Sequence, residues 1–143
     1  MPSQLGAVTY LVRDYDQAIA WFTRCLGFSL VEDSVLVPAT ADAPAKRWVL
    51  VAPPGAPQTR LLLAQASTPA QQAAVGAQAG GRVMFFLHTD DFARDHAAFL
   101  DAGVVFREAP RYEAYGTVAV FEDLYGQPWD LLELAGGGAP KNN

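Results

Sequence analysis

The sequence predicts an α+β fold: two βαβββ modules related by pseudo-twofold symmetry, with curved mixed sheets forming a cup-like cleft. Three observations carry this expectation. A strand-like run, a capping aspartate, a short amphipathic helix and a Gly followed by an aromatic or β-branched residue occur twice, ending at Leu26-Gly27-Phe28 and again at Ala102-Gly103-Val104. Each copy is followed by several short β-rich runs separated by turn residues. Four strands and one helix are too few to close a barrel, so each sheet covers one face with its helix and leaves a concave face to share.

The elements follow in order. Leu5 to Val12 is apolar and β-rich, and Asp14 with Gln17 three residues later reads as a helix N-cap. Ala18, Ile19, Phe22 and Leu26 then recur at helical spacing until Gly27 ends the helix. A strand starts at Phe28. The segment 32–46 reads as a strand around Val35-Leu36-Val37 and then a mobile loop. Residues 48–52 and 60–64 read as hairpin partners around Pro53-Pro54-Gly55. Residues 1–65 thus form the first module and 66–81, rich in Ala, Gln and Gly, a linker with a helical turn near Pro69 to Val75. The second module, 82–135, repeats the order: strand 82–88, a helix capped by Asp91, strands 104–108 and 117–121, a turn at Tyr125-Gly126-Gln127, and strand 129–134. Phe22, Phe85, Phe99 and Leu100 are assigned to the helix–sheet core, and residues 136–143 to a disordered tail.

Composition narrows the partners. A chain of 143 residues with 51% hydrophobic content is expected to be a soluble globular protein with an ample core. A formal charge of −5 offers no basic surface for nucleic acid or an anionic membrane. One cysteine, Cys25, excludes an internal disulfide, and no apolar run has the length of a signal peptide or a membrane span, so a cytoplasmic location is expected. No nucleophile elbow, P-loop or dinucleotide fingerprint occurs.

The segment from Asp14 to Phe28, the Thr89-Asp90-Asp91-Phe92 start of the second helix, and the run Phe121-Glu122-Asp123-Leu124-Tyr125-Gly126-Gln127-Pro128-Trp129-Asp130-Leu131 resemble the vicinal oxygen chelate superfamily. That group contains glyoxalases, bleomycin resistance proteins and extradiol dioxygenases. The resemblance covers nearly the whole chain and implies the paired-module fold and a homodimer. Catalytic members hold a divalent ion with His, Glu or Gln side chains. Aligned on the distance from strand to capping Asp, the first two ligand positions fall at Ala7 and Met84, the last-strand position at Asp130, and the remaining one near Arg60 or Leu62. Alanine has no donor and a thioether suits soft ions, so Asp130 alone keeps a hard oxygen. A shell of donors at about 2.0–2.3 Å is not met by one carboxylate, and no cofactor is expected.

The remaining candidates belong to a ligand cleft. His88 shares strand parity with Met84 and Phe86, and either hydrogen-bonds a ligand or sits in solvent at the strand end. His96, in mid-helix, reads as an ordinary surface or boundary residue. Asp130, in buried-strand context, needs a partner; Arg60 is the natural one, either as a ligand anchor or as a structural ion pair. Trp48, Phe86, Tyr112, Tyr115 and Trp129 border the cup as ligand aromatics or as core. Tyr115-Gly116 combines a ring and hydroxyl with a sharp backbone turn. The ligand set expected is Trp48, Arg60, Met84, Phe86, His88, Tyr115 and Asp130.

Two function classes remain open: a metal-free protein binding a small aromatic or cationic molecule, and a glyoxalase-type lyase or extradiol-type dioxygenase with an atypical metal site recruiting Asp130 and His88, with Glu122 or Gln78 as a further donor. A third reading is a structural protein with a vestigial cleft.

Overall fold

The computed structural model describes residues 2–55 and 58–137, so most of the expected tail, 138–143, lies outside the described residues. The chain divides into two compact units, residues 1–75 and 76–143, and the division falls inside the segment read as a linker. Among the described residues no helix is long and apolar enough to cross a membrane.

Unit 1 runs β1 (Ala7–Val12), α1 (Tyr15–Cys25), β2 (Ser29–Val37), β3 (Lys46–Ala52), β4 (Arg60–Gln65) and α2 (Pro69–Ala74). Its sheet has the order β1-β4-β3-β2, with β1 parallel to β4 and the other pairs antiparallel. Asp14 caps α1 by accepting the Gln17 N–H at 2.8 Å, which satisfies one of the helix's orphan donors. Strand alternation sends Tyr10, Val12, Val49, Val51, Leu61 and Leu63 to one face, all buried, and the α1 stripe of Ala18 and Phe22 covers it. Residues 29–37 form one strand, where the sequence suggested two short ones. Irregularities between Leu30 and Glu32 and between Val35 and Val37 let it keep pairing with β3 past its polar middle.

Unit 2 runs β5 (Phe85–His88), α3 (Phe92–Asp101), β6 (Val105–Phe106), β7 (Arg111–Glu113), β8 (Gly116–Glu122) and β9 (Pro128–Leu134). The order is β5-β9-β8-β6, with β7 also pairing β8. The expected strand at 104–108 is thus a two-residue β6 followed by a separate β7 hairpinned onto β8. Glu108 fills the gap: its carboxylate accepts the Val120 N–H at 2.9 Å, where a continuous strand would have placed a carbonyl. Asp91 caps α3 on the Arg94 N–H at 3.0 Å, the counterpart of Asp14.

An aromatic cluster forms the helix-side core of unit 2. Trp129 lies 4.5 Å from Phe85 and 5.7 Å from Phe121, and Phe99 meets Phe121 edge-on at 5.4 Å. His96 belongs to the same packing, stacked on Phe92 at 5.2 Å and edge-on to Phe106. Leu100 does not: it is 51% exposed, because one helical step turns it about 100° away from the Phe92–Phe99 stripe. The run from Asp123 to Trp129 is a closed turn. Buried Asp123 accepts the N–H groups of Tyr125 and Gln127 on one oxygen and the Trp129 indole N–H on the other, at 3.0 Å.

Candidate functional site

Two places collect the residues that the sequence singled out, one in each unit. The first is a pocket of about 760 Å³ in unit 1, lined by β1, β3, β4, the end of β2 and Tyr15 at the start of α1. Register builds it. Thr9 is the partner of Leu62, Leu62 of Leu50, and Trp48 lies two residues before Leu50, so these side chains share one face. Leu36 of β2 and the loop residues Ala43 to Ala45 complete an apolar wall. Trp48, 37% exposed, is the candidate that this pocket takes up.

The pocket's polar rim was not anticipated. Arg47 and Lys46 line it beside Tyr15 and Gln65. Arg47 is held firmly: its guanidinium donates to Asp33 at 2.7 Å and Asp16 at 3.0 Å and lies 4.9 Å over the Tyr15 ring, while its backbone N–H donates to the Tyr15 hydroxyl at 3.2 Å. The hydrogen bond from Arg47 holds the Asp33 carboxyl below its usual range, against a smaller opposing effect of burial. The Lys46-Arg47 doublet directly before Trp48 was visible in the sequence, but nothing local tells which strand neighbours it meets.

The second place is the β5-β9-β8 face opposite the aromatic cluster of unit 2. Phe86 and Asp130 are register partners, as are Val120 and Asp130, so the carboxylate stands between an exposed phenyl ring and a half-buried valine. Its Oδ1 is buried and accepts no hydrogen bond among the described residues. Burial raises the Asp130 carboxyl, the Arg111 charge pulls it back, and Glu108 adds to the rise. Within its own unit, the cation acting on it is Arg111, from β7. Arg111 is itself bonded to Glu108 at 2.9 Å, and Glu108 and Tyr115 shift its own acidity further from neutrality. At Glu108 burial favours the acid form, but the Arg111 and Val120 hydrogen bonds together outweigh it and keep the group ionised.

The other expected residues are spread out. Met84 is half-buried, its N–H bonded to the Pro128 carbonyl at 3.1 Å, and His88 is exposed at the end of β5. Arg60 begins β4 beside Ala7 and lines a separate recess of about 290 Å³ with Gln4, Gly6 and Gln58. Tyr112 is 82% exposed on β7. Glu122 is taken by Arg107 at 2.7 Å. Burial raises the Cys25 thiol, with Arg24 opposing, so it lacks the thiolate character of a nucleophile.

The Asp130 environment makes a pH prediction. Its acidity is lowered on folding, so its contribution to stability is fully present below the carboxyl's unfolded pKa of about 3.9 and is lost as pH rises through the higher folded value. In urea unfolding at pH 3.5 and pH 7, Asp130→Asn is expected to be favoured over wild type at pH 7 relative to pH 3.5. Parallel pH profiles for the two proteins would show that the carboxyl is not perturbed.

Among the described residues, no three His, Cys, Asp or Glu side chains are grouped so as to hold a metal ion. Two units of this kind, each an open sheet with a helix on one face and a capping Asp between first strand and helix, define the vicinal oxygen chelate type of scaffold. The comparisons agree: the chain belongs to the Glyoxalase/Bleomycin resistance protein/Dioxygenase superfamily, whose family model matches residues 4–131. It is 48% identical over 134 residues to an uncharacterized protein of Shewanella frigidimarina (strain NCIMB 400), spanning 94% of this chain and 96% of that one. Among solved structures, UcmS2 is 28% identical with a TM-score of 0.76, over 92% of this chain and 98% of its own. TnmS3, an antibiotic binding protein from Streptomyces sp. CB03234, is 26% identical with a TM-score of 0.70, over 94% of this chain and 98% of its own.

Proposed function

We propose that this chain is a binding protein of the superfamily that holds a small aromatic molecule without the family-type divalent metal, and that it works as a homodimer. The observation that carries the reading is the unit 1 pocket: about 760 Å³, walled by Trp48, Leu36, Leu62 and Pro44, with a small set of polar groups at the rim. That volume and composition suit a drug-sized guest. The donor set supports the metal-free part, because Ala7 and Met84 fall at two of the positions that the resemblance assigns to metal ligands, and among the described residues Asp130 belongs to no group of three or more His, Cys, Asp or Glu. The similarity to TnmS3 points the same way. An open outer edge on the nine-residue β2, with Leu30, Val35 and Val37 exposed, supports pairing with a second copy.

The test joins elemental analysis to a ligand titration. Purified protein is expected to carry no stoichiometric nickel, zinc, iron or manganese. The neutral probe 2-naphthalenemethanol is expected to change the tryptophan fluorescence saturably, with affinity about tenfold weaker in Trp48→Ala. One tightly held metal equivalent that disappears in Asp130→Ala would overturn the reading and make a lyase or dioxygenase the better one.

A further inference from the structure

We infer that the unit 1 pocket takes an aromatic acid, with its ring laid on Trp48 and its carboxylate held by the Lys46 ammonium. The inference rests on the binding function proposed above and names its ligand class. It runs against the overall charge, since the chain carries a formal −5, which by itself would suit a cationic guest. The pocket departs from that balance at one residue: Lys46 is among its lining residues, and no Asp or Glu is.

The two cations are not equivalent. Arg47 is already neutralised by Asp33 and Asp16 and pinned over Tyr15. Lys46 is exposed and enters none of the salt bridges formed by the described residues. It lies two residues before Trp48 on β3, so the two side chains leave the same face about 6.8 Å apart along the strand. The flexible four-carbon stem of Lys46 lets its ammonium reach a carboxylate carried at the edge of a ring laid on Trp48. Leu36 and Leu62 supply the apolar contact for the ring edges. A cationic aromatic would place its charge against Lys46 with no counter-charge in the wall, and a neutral one would leave the ammonium unpaired.

Three probes of one shape separate the possibilities: 2-naphthoate, 2-naphthalenemethanol and 2-naphthylmethylammonium, each titrated into the full chain at low salt by calorimetry. The acid is expected to bind about tenfold tighter than the alcohol, and the ammonium more weakly than either. K46Q is expected to lose about tenfold for the acid while the alcohol stays within about twofold, and added salt to weaken the acid selectively. If the alcohol or the ammonium binds as well as the acid, or if K46Q leaves the acid's affinity unchanged, the inference fails while the binding function stands. If none of the three binds by about 1 mM, both fail. Lys46 is exposed, so K46Q is expected to keep the wild-type melting temperature, and a folding defect does not confuse the reading.

Discussion

Phe22→Ala is expected to lower the unfolding free energy by about 3–5 kcal/mol, the range for removing a buried phenyl ring without collapse of the space it leaves. The ring is fully buried on the inner face of α1. It meets Tyr10 edge-on at 6.1 Å, Trp21 edge-on at 5.3 Å and Phe28 at 5.4 Å, so its loss strips contacts from the first strand, the helix and the residue that leads into β2 at once. For a chain of this length the melting temperature falls by roughly 3 °C per kcal/mol, or about 10–15 °C in all. Leu100→Ala is the control: the side chain is 51% exposed, and the change is expected to stay within about 0.5 kcal/mol of neutral beyond helix propensity. Urea denaturation of the three proteins decides it. A Phe22→Ala loss no larger than that of Leu100→Ala would mean that α1 is not packed on its sheet as described.

Gly116→Ala is expected to cost roughly 3 kcal/mol, by a different route. Gly116 opens β8 with φ +152°, and an added Cβ would lie 2.1 Å from the Glu133 carbonyl oxygen and 3.0 Å from the Leu134 Cα. Both obstacles are backbone, so no side-chain rotation relieves them; β9 must move off β8 at the end of the sheet. Gly27→Ala isolates the conformational part. There φ is +69° and nothing lies within 4 Å of the added carbon, so only left-handed strain remains, about 1 kcal/mol. Equal losses for the two variants, measured by thermal unfolding, would show that the close approach of Glu133 to Gly116 is absent. A larger loss at Gly116 would also explain the Tyr115-Gly116 pair: the glycine serves strand pairing with β9.

These two positions show what kind of information a linear sequence holds. Phe22 is readable as core because helical periodicity places it on one stripe with Ala18 and Leu26, and the caps at Asp14 and Asp91 are readable because their hydrogen bonds close within three residues. The Asp123 turn is of the same kind, since its partners lie between two and six residues away. Glu108, by contrast, looked like the end of a strand. Its role as the acceptor for Val120 depends on a strand twelve residues further on, and its pairing with Arg111 then sets the charge around Asp130. Leu100 failed for a related reason: a helix stripe has a width, and only the sheet beneath decides where its edge falls.

Readable from the chain alone were the repeated module, both helix caps, the strand parity shared by Met84, Phe86 and His88, and the absence of hard donors at Ala7 and Met84. All of these rest on residue identity or on spacing within a few residues. The other features arise only when the strands assemble. Assembly set Phe86 beside Asp130, brought the Arg111 charge to bear on that carboxyl, bound Arg47 to Asp16 and Asp33, and put Lys46 and Trp48 into one pocket with Thr9 and Leu62. Those contacts join residues from about twelve to fifty apart along the chain. They exist because strand register, set by burial of the opposite face, selects which side chains stand together.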